Sequence, residues 1–593
     1  MSNTTRRFMM GAAGAAGDKT YIDDVFSTYL YTGQSTTKTI TNGIDNLGEG
    51  GMLWVKNRDN ARGHQLYDTE RLASGSNTTS DYSLTSNSSG AARDMSPNGI
   101  VTWKNDGWSV LGGDGDINQN GFGDYASWNF RKQKGFFDVV TYTGNGTAGR
   151  TVSHSLGSIP GSIWVKRTDG TEDWTCYHRS LGSSAFIQLN KNLAATGEAR
   201  FNGTDPTSTY FTVDSHDRVN RNGWEYVAYI FAGGESTDDT ARSVDFDGTS
   251  DYLSTASSSD LTLGTGDFTV ECWMKWDSEP AWNQLQGAYQ ISTNSNGVDG
   301  TYAQTPGVGY YDTKWKIYGG GGSGFVESGV NQISPGTWYH VAHVRASSVS
   351  KLYLNGVEIV SMNDSYNYTG TYMAIGAVTA SSGSTDGSIS NMRVVKGTAL
   401  YTSSFRPPTE PLTNISSTSI LCCNNSSTTG KTVGPTLTAN GTLASNTSSP
   451  FDDPEGFKFG EEGNQNIIKC GIYKGSGSVE DNEVFLGFEP QWILIKRTDS
   501  AGNWRLFDSM RGIVSGSSSN NGIDYHIQPN WDSAEATTDQ SIDLTPTGFT
   551  LQTSDGNYNG GGASYVYMCL RRSDGYVGKP PELGTDVFAI EDA

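Results

Sequence analysis

The stretch Gly161-Ser-Ile-Trp-Val-Lys-Arg-Thr-Asp-Gly170 decides how this chain is read. An apolar run, Ile163-Trp-Val165, ends at Lys166, and Asp169 follows three residues later. The phrase returns as Met52-Leu-Trp-Val-Lys56-Asn-Arg-Asp59 and as Trp492-Ile-Leu-Ile-Lys496-Arg-Thr-Asp499. Tyr67, Tyr177 and Phe507 each stand eleven residues past the lysine. Upstream, Tyr31, Tyr142 and Tyr473 precede it by 25, 24 and 23 residues. Downstream, each copy closes on an apolar, aromatic-rich segment: Asp124-Tyr-Ala-Ser-Trp-Asn-Phe130, Glu225-Tyr-Val-Ala-Tyr-Ile-Phe231 and Ser564-Tyr-Val-Tyr-Met-Cys-Leu570. Four landmarks in one order define an internal repeat of about a hundred residues, long enough for each copy to be a domain. Short apolar or alternating runs broken by Gly-rich turns predict strands, and so a β-sandwich per copy.

The rest of the composition agrees. The chain has 593 residues, 74 of them Gly, with 11% aromatic and 18% charged residues. Such a length calls for several domains, and the mix suits many short strands joined by polar turns. A net charge of −22 argues against a general nucleic-acid binder, which presents a basic face to phosphate. No apolar run reaches the ~20 residues of a membrane-spanning helix, so no membrane insertion is expected. Six Cys without a C-x-x-C pair argue against a zinc site. Cys176, Cys272 and Cys569 lie in apolar strand patterns and are read as core thiols.

Between the second and third copies lies a different unit. Phe268-Thr-Val-Glu-Cys-Trp-Met-Lys-Trp276 alternates, placing Phe268, Val270, Cys272, Met274 and Trp276 on one face. Gly336-Thr-Trp-Tyr-His-Val-Ala-His-Val-Arg345 is another strand, and Asn355-Gly356 marks a hairpin with a type I′ turn. Phe246-Asp-Gly248, Phe268-Thr-Val-Glu-Cys-Trp273, Trp338-Tyr-His-Val341, Leu354-Asn-Gly356 and Met392-Arg-Val394 with Ala399-Leu-Tyr401 together resemble the concanavalin A-like, laminin-G-type jelly roll of many carbohydrate-binding and adhesive proteins. That resemblance implies two curved antiparallel sheets and names no ligand.

The flanking copies are similar to repeats in structural proteins of marine tailed phages, particularly cyanophages. Arg6-Arg7-Phe-Met-Met-Gly-Ala-Ala-Gly14, Tyr21-Ile-Asp-Asp-Val-Phe-Ser-Thr-Tyr-Leu-Tyr-Thr-Gly33, Phe136-Phe-Asp-Val-Val-Thr-Tyr-Thr-Gly-Asn-Gly146 and Tyr177-His-Arg-Ser-Leu-Gly182 carry the likeness. It implies a virion component: a tail fibre or other surface appendage that contacts host-surface polysaccharide, with a homo-oligomer, favoured as a trimer, by family analogy. The alternatives are a capsid-decorating or vertex protein and a secreted bacterial adhesin.

The expected organisation is an all-β chain of tandem sandwiches. It has an anchoring arm at 1–20, repeats at 21–134 and 135–235, a jelly roll at 241–423, and a linker at 424–462. A third repeat at 463–575 and a tail at 576–593 complete it. The arm, through Arg6, Arg7, Phe8, Met9 and Met10, is expected to dock on other virion proteins.

Enzymatic activity is not expected. No E-x-D-x-E strand offers paired carboxylates, no H-E-x-x-H occurs, and no G-x-S-x-G elbow has a credible His partner. His340 and His343 fall on opposite strand faces, a poor arrangement for shared ligation. Calcium is the one cofactor considered, at Asp245, Asp247 and Asp251 or at Asp114 and Asp116, because carboxylate oxygens suit this hard ion. The Asp114 segment lacks a closing Glu, since Tyr125 stands at its twelfth position. Trp273 and Trp315 are the sugar-stacking candidates, since a flat ring matches the C–H face of a hexose. Lys56, Lys166 and Lys496 are read as places where a strand exits to solvent, with Asp59, Asp169 and Asp499 shaping the turns that follow.

Overall fold

The computed structural model describes residues 20–573, apart from 234–241, 279, 282, 300–301, 323, 331–332, 379–382, 409–410, 447–448, 452–458, 461–464, 480–482, 514–523 and 537–540. The chain divides into two compact units, one of residues 1–233, 457–470 and 476–593, the other of 234–456 and 471–475.

In the first unit the three copies share one sheet order. Phe26–Thr32 lies beside Asp124–Arg131, then Gly51–Asn57, then Gln65–Asp68. The second copy repeats this with Phe137–Thr143, Glu225–Phe231, Ser162–Arg167 and Thr175–His178. The third does so with Ile468–Lys474, Ser564–Arg571, Pro490–Arg497 and Arg505–Asp508. Register is kept as well: Lys56, Lys166 and Lys496 pair with Ala126, Val227 and Val566 of the closing strands. A smaller antiparallel sheet backs each of these: Lys38–Thr41, Gly107–Val110, Val101–Lys104 and Thr79–Ser80 in the first copy, Arg150–Ser153 with Tyr210–Val213 in the second, and Glu483–Phe485, Gly548–Leu551 and Ile542–Thr545 in the third.

Strand Gly51–Asn57 is buried at every position, not at alternate ones. Both of its faces are covered, which is what turns an alternating strand into a continuous apolar run. Leu53 and Val55 enter the first copy's own core with Tyr31, Tyr67, Trp103, Trp108 and Tyr125. Trp54, on the opposite face, meets Trp164 of the second copy at 5.8 Å and Trp128 at 5.6 Å. Phe130 meets Phe231 of the second copy at 5.7 Å and Trp492 of the third at 6.0 Å. These rings form an aromatic hub shared by the three copies. Edge-to-face pairs of this kind contribute beyond the area they bury.

The copies also share a turn device. The side-chain oxygen of Asn87, Asn190 and Asn530 accepts the backbone N–H of His64, Trp174 and Trp504, at 3.0, 3.1 and 2.9 Å. Replacing any of the three asparagines by alanine leaves that buried donor unmet. Each substitution is expected to lower stability by about 1–2 kcal/mol, read by chemical denaturation. Similar losses at all three sites are the expected result, and a single sensitive site would break the equivalence.

The second unit is a two-sheet sandwich. Its larger sheet runs Val357–Asn363, Val349–Leu354, Trp338–Ala346, Phe268–Trp276, Asp386–Lys396, Ser243–Asp247 and Ala444–Asn446. The other runs Phe325–Glu327, Lys314–Tyr318, Gly307–Tyr311, Gln286–Ser292, Tyr372–Ile375, Tyr252–Thr255 and Leu437–Asn440. Phe268, Val270, Cys272, Met274 and Trp276 all enter the core between them, as the alternation requires. Asn355 and Gly356 both have positive φ, 48° and 81°, the geometry of the two-residue turn. The expected linker at 424–462 needs correction. Leu437–Asn440 pairs with Tyr252–Thr255, and Ala444–Asn446 with Ser243–Asp247, so these segments complete the two sheets. The six cysteines are buried free thiols.

Candidate functional site

Lys56, Lys166 and Lys496 are buried at 0% exposure, so the expected exit to solvent is wrong. They lie on the hub face of their strands, two residues after Trp54, Trp164 and Leu494. Each Nζ donates to the carbonyl oxygen of the next residue, Asn57, Arg167 or Arg497, at 2.6 Å in all three. Burial drives the Lys56 ammonium down to about 8 and those of Lys166 and Lys496 to about 7. Asp59 accepts from the N–H of Asp124 on the distant closing strand at 2.7 Å, and the turn after Lys56 is held instead by Asn57 Oδ1, which accepts from the Asp59 and Asn60 N–H groups at 3.1 and 2.7 Å. Asp169 and Asp499 pair with Arg167 and Arg497, both at 2.7 Å.

The seams between copies repeat around a ring. Two residues past each lysine, the carbonyl oxygens of Arg58, Thr168 and Thr498 accept from Glu535, Ala92 and Ala195 N–H groups at 2.7, 2.8 and 2.8 Å. Eight residues past it, His64 Nε2 lies 3.1 Å from the Gln528 carbonyl oxygen. At the same place, Trp174 Nε1 donates to Thr85 O at 3.1 Å and Trp504 Nε1 to Gln188 O at 2.9 Å. Twelve residues past it, Asp68 accepts from Tyr229 OH at 2.7 Å and Asp508 from Trp128 Nε1 at 2.9 Å, while His178 Nε2 lies 3.0 Å from Tyr567 O. The first two sets link first copy to third, third to second and second to first, and the last links first to second, second to third and third to first, so each pair of copies is joined by all three sets. Head-to-tail contacts that close after three steps make a ring with approximate three-fold symmetry, built within one chain. Ser86 Oγ donates to Pro529 O at 2.6 Å, joining the residues that follow two of those acceptors, Thr85 and Gln528.

Two seams hold buried ion pairs. Asp68 pairs with Arg71 at 2.6 Å, and Asp508 pairs with Arg511 at 2.5 Å. Arg511 also reaches Glu535, which Arg58 of the first copy pairs at 2.7 Å. The third seam uses His178, whose pKa burial lowers to about 4, so it is neutral at ordinary pH.

In the lectin-like unit a second polar cluster is buried. Glu271 accepts from Arg393 at 2.6 and 2.9 Å and from Tyr401 OH at 2.9 Å, and lies 3.1 Å from His340 Nε2. Burial works to raise its pKa, but His340 and Arg393 outweigh it and hold the carboxyl below its usual range. Charges so fully paired serve structure better than catalysis.

The sugar-stacking candidates are corrected too. Trp315 is a core residue at 0% exposure, against Trp276 at 5.5 Å and Tyr310 at 5.4 Å. Trp273 does face away from that core, but His340 and Phe451 cover it at 5.2 and 5.8 Å. Neither ring offers a face to a ligand. The solvent-side aromatics of this unit lie instead at the edge of the smaller sheet. Phe325 is 39% exposed, Lys316 Nζ sits 4.3 Å from its ring centroid and 4.9 Å from that of Tyr311, and Tyr302 stacks on Tyr318 at 4.7 Å. Sequence alternation around Trp315 and Ile317 could have placed Lys314, Lys316 and Tyr318 on this outer face.

The proposed calcium carboxylates are otherwise engaged. Asp247 accepts from the Thr249, Ser250 and Asp251 N–H groups at 2.9–3.0 Å. Slight burial pulls the other way, but these bonds hold its carboxyl well below the usual range. Asp251 accepts from Thr442 N at 2.7 Å, and Asp245 from Ser388 Oγ at 3.1 Å. Arg93 occupies the space a cation would take at Asp114 and Asp116, at 2.7 and 2.5 Å. Among the described residues no three His, Cys, Asp or Glu side chains converge as a metal requires. The arm residues Arg6, Arg7, Phe8, Met9 and Met10 lie outside the described residues.

A ring of β-sandwich copies with a concanavalin A-like sandwich inserted between the second and third defines a multidomain, lectin-like β protein. Residues 247–400 match the concanavalin A-like lectin/glucanases superfamily. Residues 22–237 and 346–573 match the family described as Domain of unknown function (DUF7483), and the chain belongs to that family. No curated protein matches the chain. Similar solved structures include a heptameric SAP-like pentraxin from Limulus polyphemus, at 16% identity and TM-score 0.25, covering 36% of this chain and 98% of that one. A putative carbohydrate binding protein from Bacteroides ovatus is 10% identical at TM-score 0.24, covering 73% and 97%. The LG4-5 domains of the mouse laminin alpha1 chain are 11% identical at TM-score 0.21, covering 47% and 97%. Scores this low decide nothing about ligand or function.

Proposed function

We propose that the protein is a non-catalytic component of a phage particle, a tail fibre or other surface appendage, whose lectin-like unit contacts host-surface glycan. The observation that carries this is the division of labour in the chain. Three copies close a ring through buried aromatic and charged seams, and one lectin-like sandwich is spliced into it between residues 233 and 457. A preorganised body with a single inserted binding fold suits display better than turnover, because its buried charges are spent on holding copies together. Anchoring through the arm at 1–20 completes the reading. A homotrimer of chains would be built through surfaces other than these seams, which are already filled in cis.

The test is competition. Purified full-length chain added to host cells should slow particle adsorption and should bind isolated host surface polysaccharide. Antibody raised against the chain should label intact particles on an appendage. Unlabelled particles would reject the virion assignment, and unimpeded adsorption without polysaccharide binding would reject the glycan role. The approximate three-fold ring favours one second reading, a capsid-decorating protein seated at a three-fold position of the shell. Antibody label over the shell would select it.

A further inference from the structure

We infer that Cys422 and Cys423 are a modification site, where a peroxide joins the two adjacent thiols in a disulfide. The inference stands apart from the glycan-contact reading. Strand Thr418–Cys422 pairs with Asp386–Lys396 on one side and Lys431–Val433 on the other, with Cys422 opposite Met392 and Lys431. Consecutive residues of a strand point to opposite faces. Ile420 and Cys422 accordingly enter the core between the two sheets, and Leu421 does not. By alternation Cys423 belongs with Leu421, yet it enters the same core as Cys422. Its backbone turns it there: φ is +57°, in the left-handed region that a residue with a Cβ rarely adopts. The Asn391 N–H holds this turn, donating to the Cys423 carbonyl oxygen at 3.0 Å. The two thiols therefore meet, Cys423 donating to the Cys422 sulfur at 3.9 Å. In a regular strand they would lie on opposite sides of the sheet, unable to bridge.

The chemistry closes without a further reagent. One thiolate attacks a peroxide oxygen, the O–O bond breaks, and a sulfenic acid and hydroxide result; the hydroxide takes up a proton to become water. The neighbouring thiol then attacks the sulfenic sulfur, forming the S–S bond and releasing a second water. The thiols lose two hydrogens, and the peroxide is reduced to two waters. The hydrogen bond from Cys423, then burial, raises the Cys422 thiol. The thiolate is the nucleophile, so the reaction is slow at neutral pH and quickens as pH rises. Cys423 lies just past the end of its strand, three residues before exposed Ser426, where local opening admits a small neutral oxidant most easily. Cys272 is the competing partner: it faces the same core, and burial, then the neighbouring Cys423, raises its thiol.

The experiment treats the folded full-length chain with hydrogen peroxide, quenches it in acid, unfolds it and alkylates the thiols that remain. Trypsin leaves Cys422 and Cys423 together in one peptide, residues 397–431, and Cys272 in another, residues 243–275. The expected result is that the chain loses two of its six alkylatable thiols. Peptide 397–431 should be unalkylated, lighter by two hydrogens and linked to no other peptide. Its formation should be about tenfold faster for a rise of one pH unit. Dithiothreitol should restore both thiols, and C423S should keep Cys422 alkylated. Full alkylation of both cysteines after peroxide overturns the site, and so does a bridge from either of them to the Cys272 peptide. A bridge that forms only in chain unfolded beforehand overturns it too. So does a loss that dithiothreitol cannot reverse, since that marks oxygen added to sulfur beyond the sulfenic stage. The mapped peptide of the parent chain decides the matter even if C423S fails to fold.

Discussion

Replacing Asp508 with alanine is expected to lower the stability of the ring by about 3–5 kcal/mol, the cost of breaking a buried ion pair by removing one partner. Asp508 is fully buried and serves two copies at once. Its Oδ2 accepts from Arg511 Nε at 2.5 Å and from Trp128 Nε1 of the first copy at 2.9 Å, and its Oδ1 accepts from the Arg511 N–H at 2.9 Å. Alanine strands the indole N–H and leaves the Arg511 guanidinium with the Glu535 carboxylate and the Leu506 carbonyl oxygen, one of its two countercharges gone. Asp68→Ala should cost a similar amount, since Asp68 holds Arg71 and Tyr229 OH in the same way. His178→Ala should cost less, about 1–2 kcal/mol, because the ring lost is neutral, bonded to the Tyr567 carbonyl oxygen and the Ser180 N–H, and no charge is orphaned. Denaturant unfolding of the full chain, followed by tryptophan fluorescence, orders the three variants. The neutral seam proving the most sensitive, or Asp508→Ala costing under about 1 kcal/mol, would show that these seams do not hold the ring closed.

The three copies were legible because their landmarks are local: a lysine, an aspartate and an aromatic at fixed offsets on neighbouring strands. Period-two alternation likewise fixed the inward face of Phe268–Trp276, and Asn355-Gly356 fixed its hairpin. What one copy cannot show is what covers its second face. Lys166 ends an apolar run followed by a turn, and its burial depends on residues from other copies. The seams were hidden for a related reason. The residues twelve past each lysine are Asp68, His178 and Asp508, which differ in chemistry and share only the ability to hydrogen-bond. The turn asparagines Asn87, Asn190 and Asn530 follow the lysines by 31, 24 and 34 residues, so loops of unequal length conceal their equivalence. Leu437–Asn440 and Ala444–Asn446 read as linker because short Thr- and Asn-rich segments carry little pattern, and their partners lie almost two hundred residues upstream. Trp273 was placed on the correct face of its strand, but its cover, Phe451, comes from far along the chain.

The buried lysines set the pH response. In the unfolded chain a lysine ammonium titrates near 10.5, whereas burial lowers Lys166 and Lys496 to about 7 and Lys56 to about 8. Between those values the unfolded chain holds protons that the ring has released, so stability rises with pH. Below about 7 both states are protonated, and the penalty for burying the charges is felt in full. The buried histidines do not mask this. His178 and His343, lowered to about 4 by burial, contribute their own rise with pH below about 7. Above about 9 the signs oppose, because burial raises the Cys176, Cys272 and Cys569 thiols and the Tyr31 and Tyr67 phenols, which ionise only on unfolding. The interval from pH 7 to 8.5 therefore isolates the lysines. At ~1.4 kcal/mol per pH unit for each released proton, the full chain should gain about 3–5 kcal/mol across it. Lys166→Met keeps the stem's volume and removes the charge, as does Lys496→Met. Each should raise stability at pH 7 by a few kcal/mol and flatten the slope by roughly the share of one lysine. Denaturation midpoints that stay level or fall from pH 7 to 8.5, or methionine variants less stable than the parent at pH 7, would mean that these ammonium groups are held charged by partners strong enough to offset their burial.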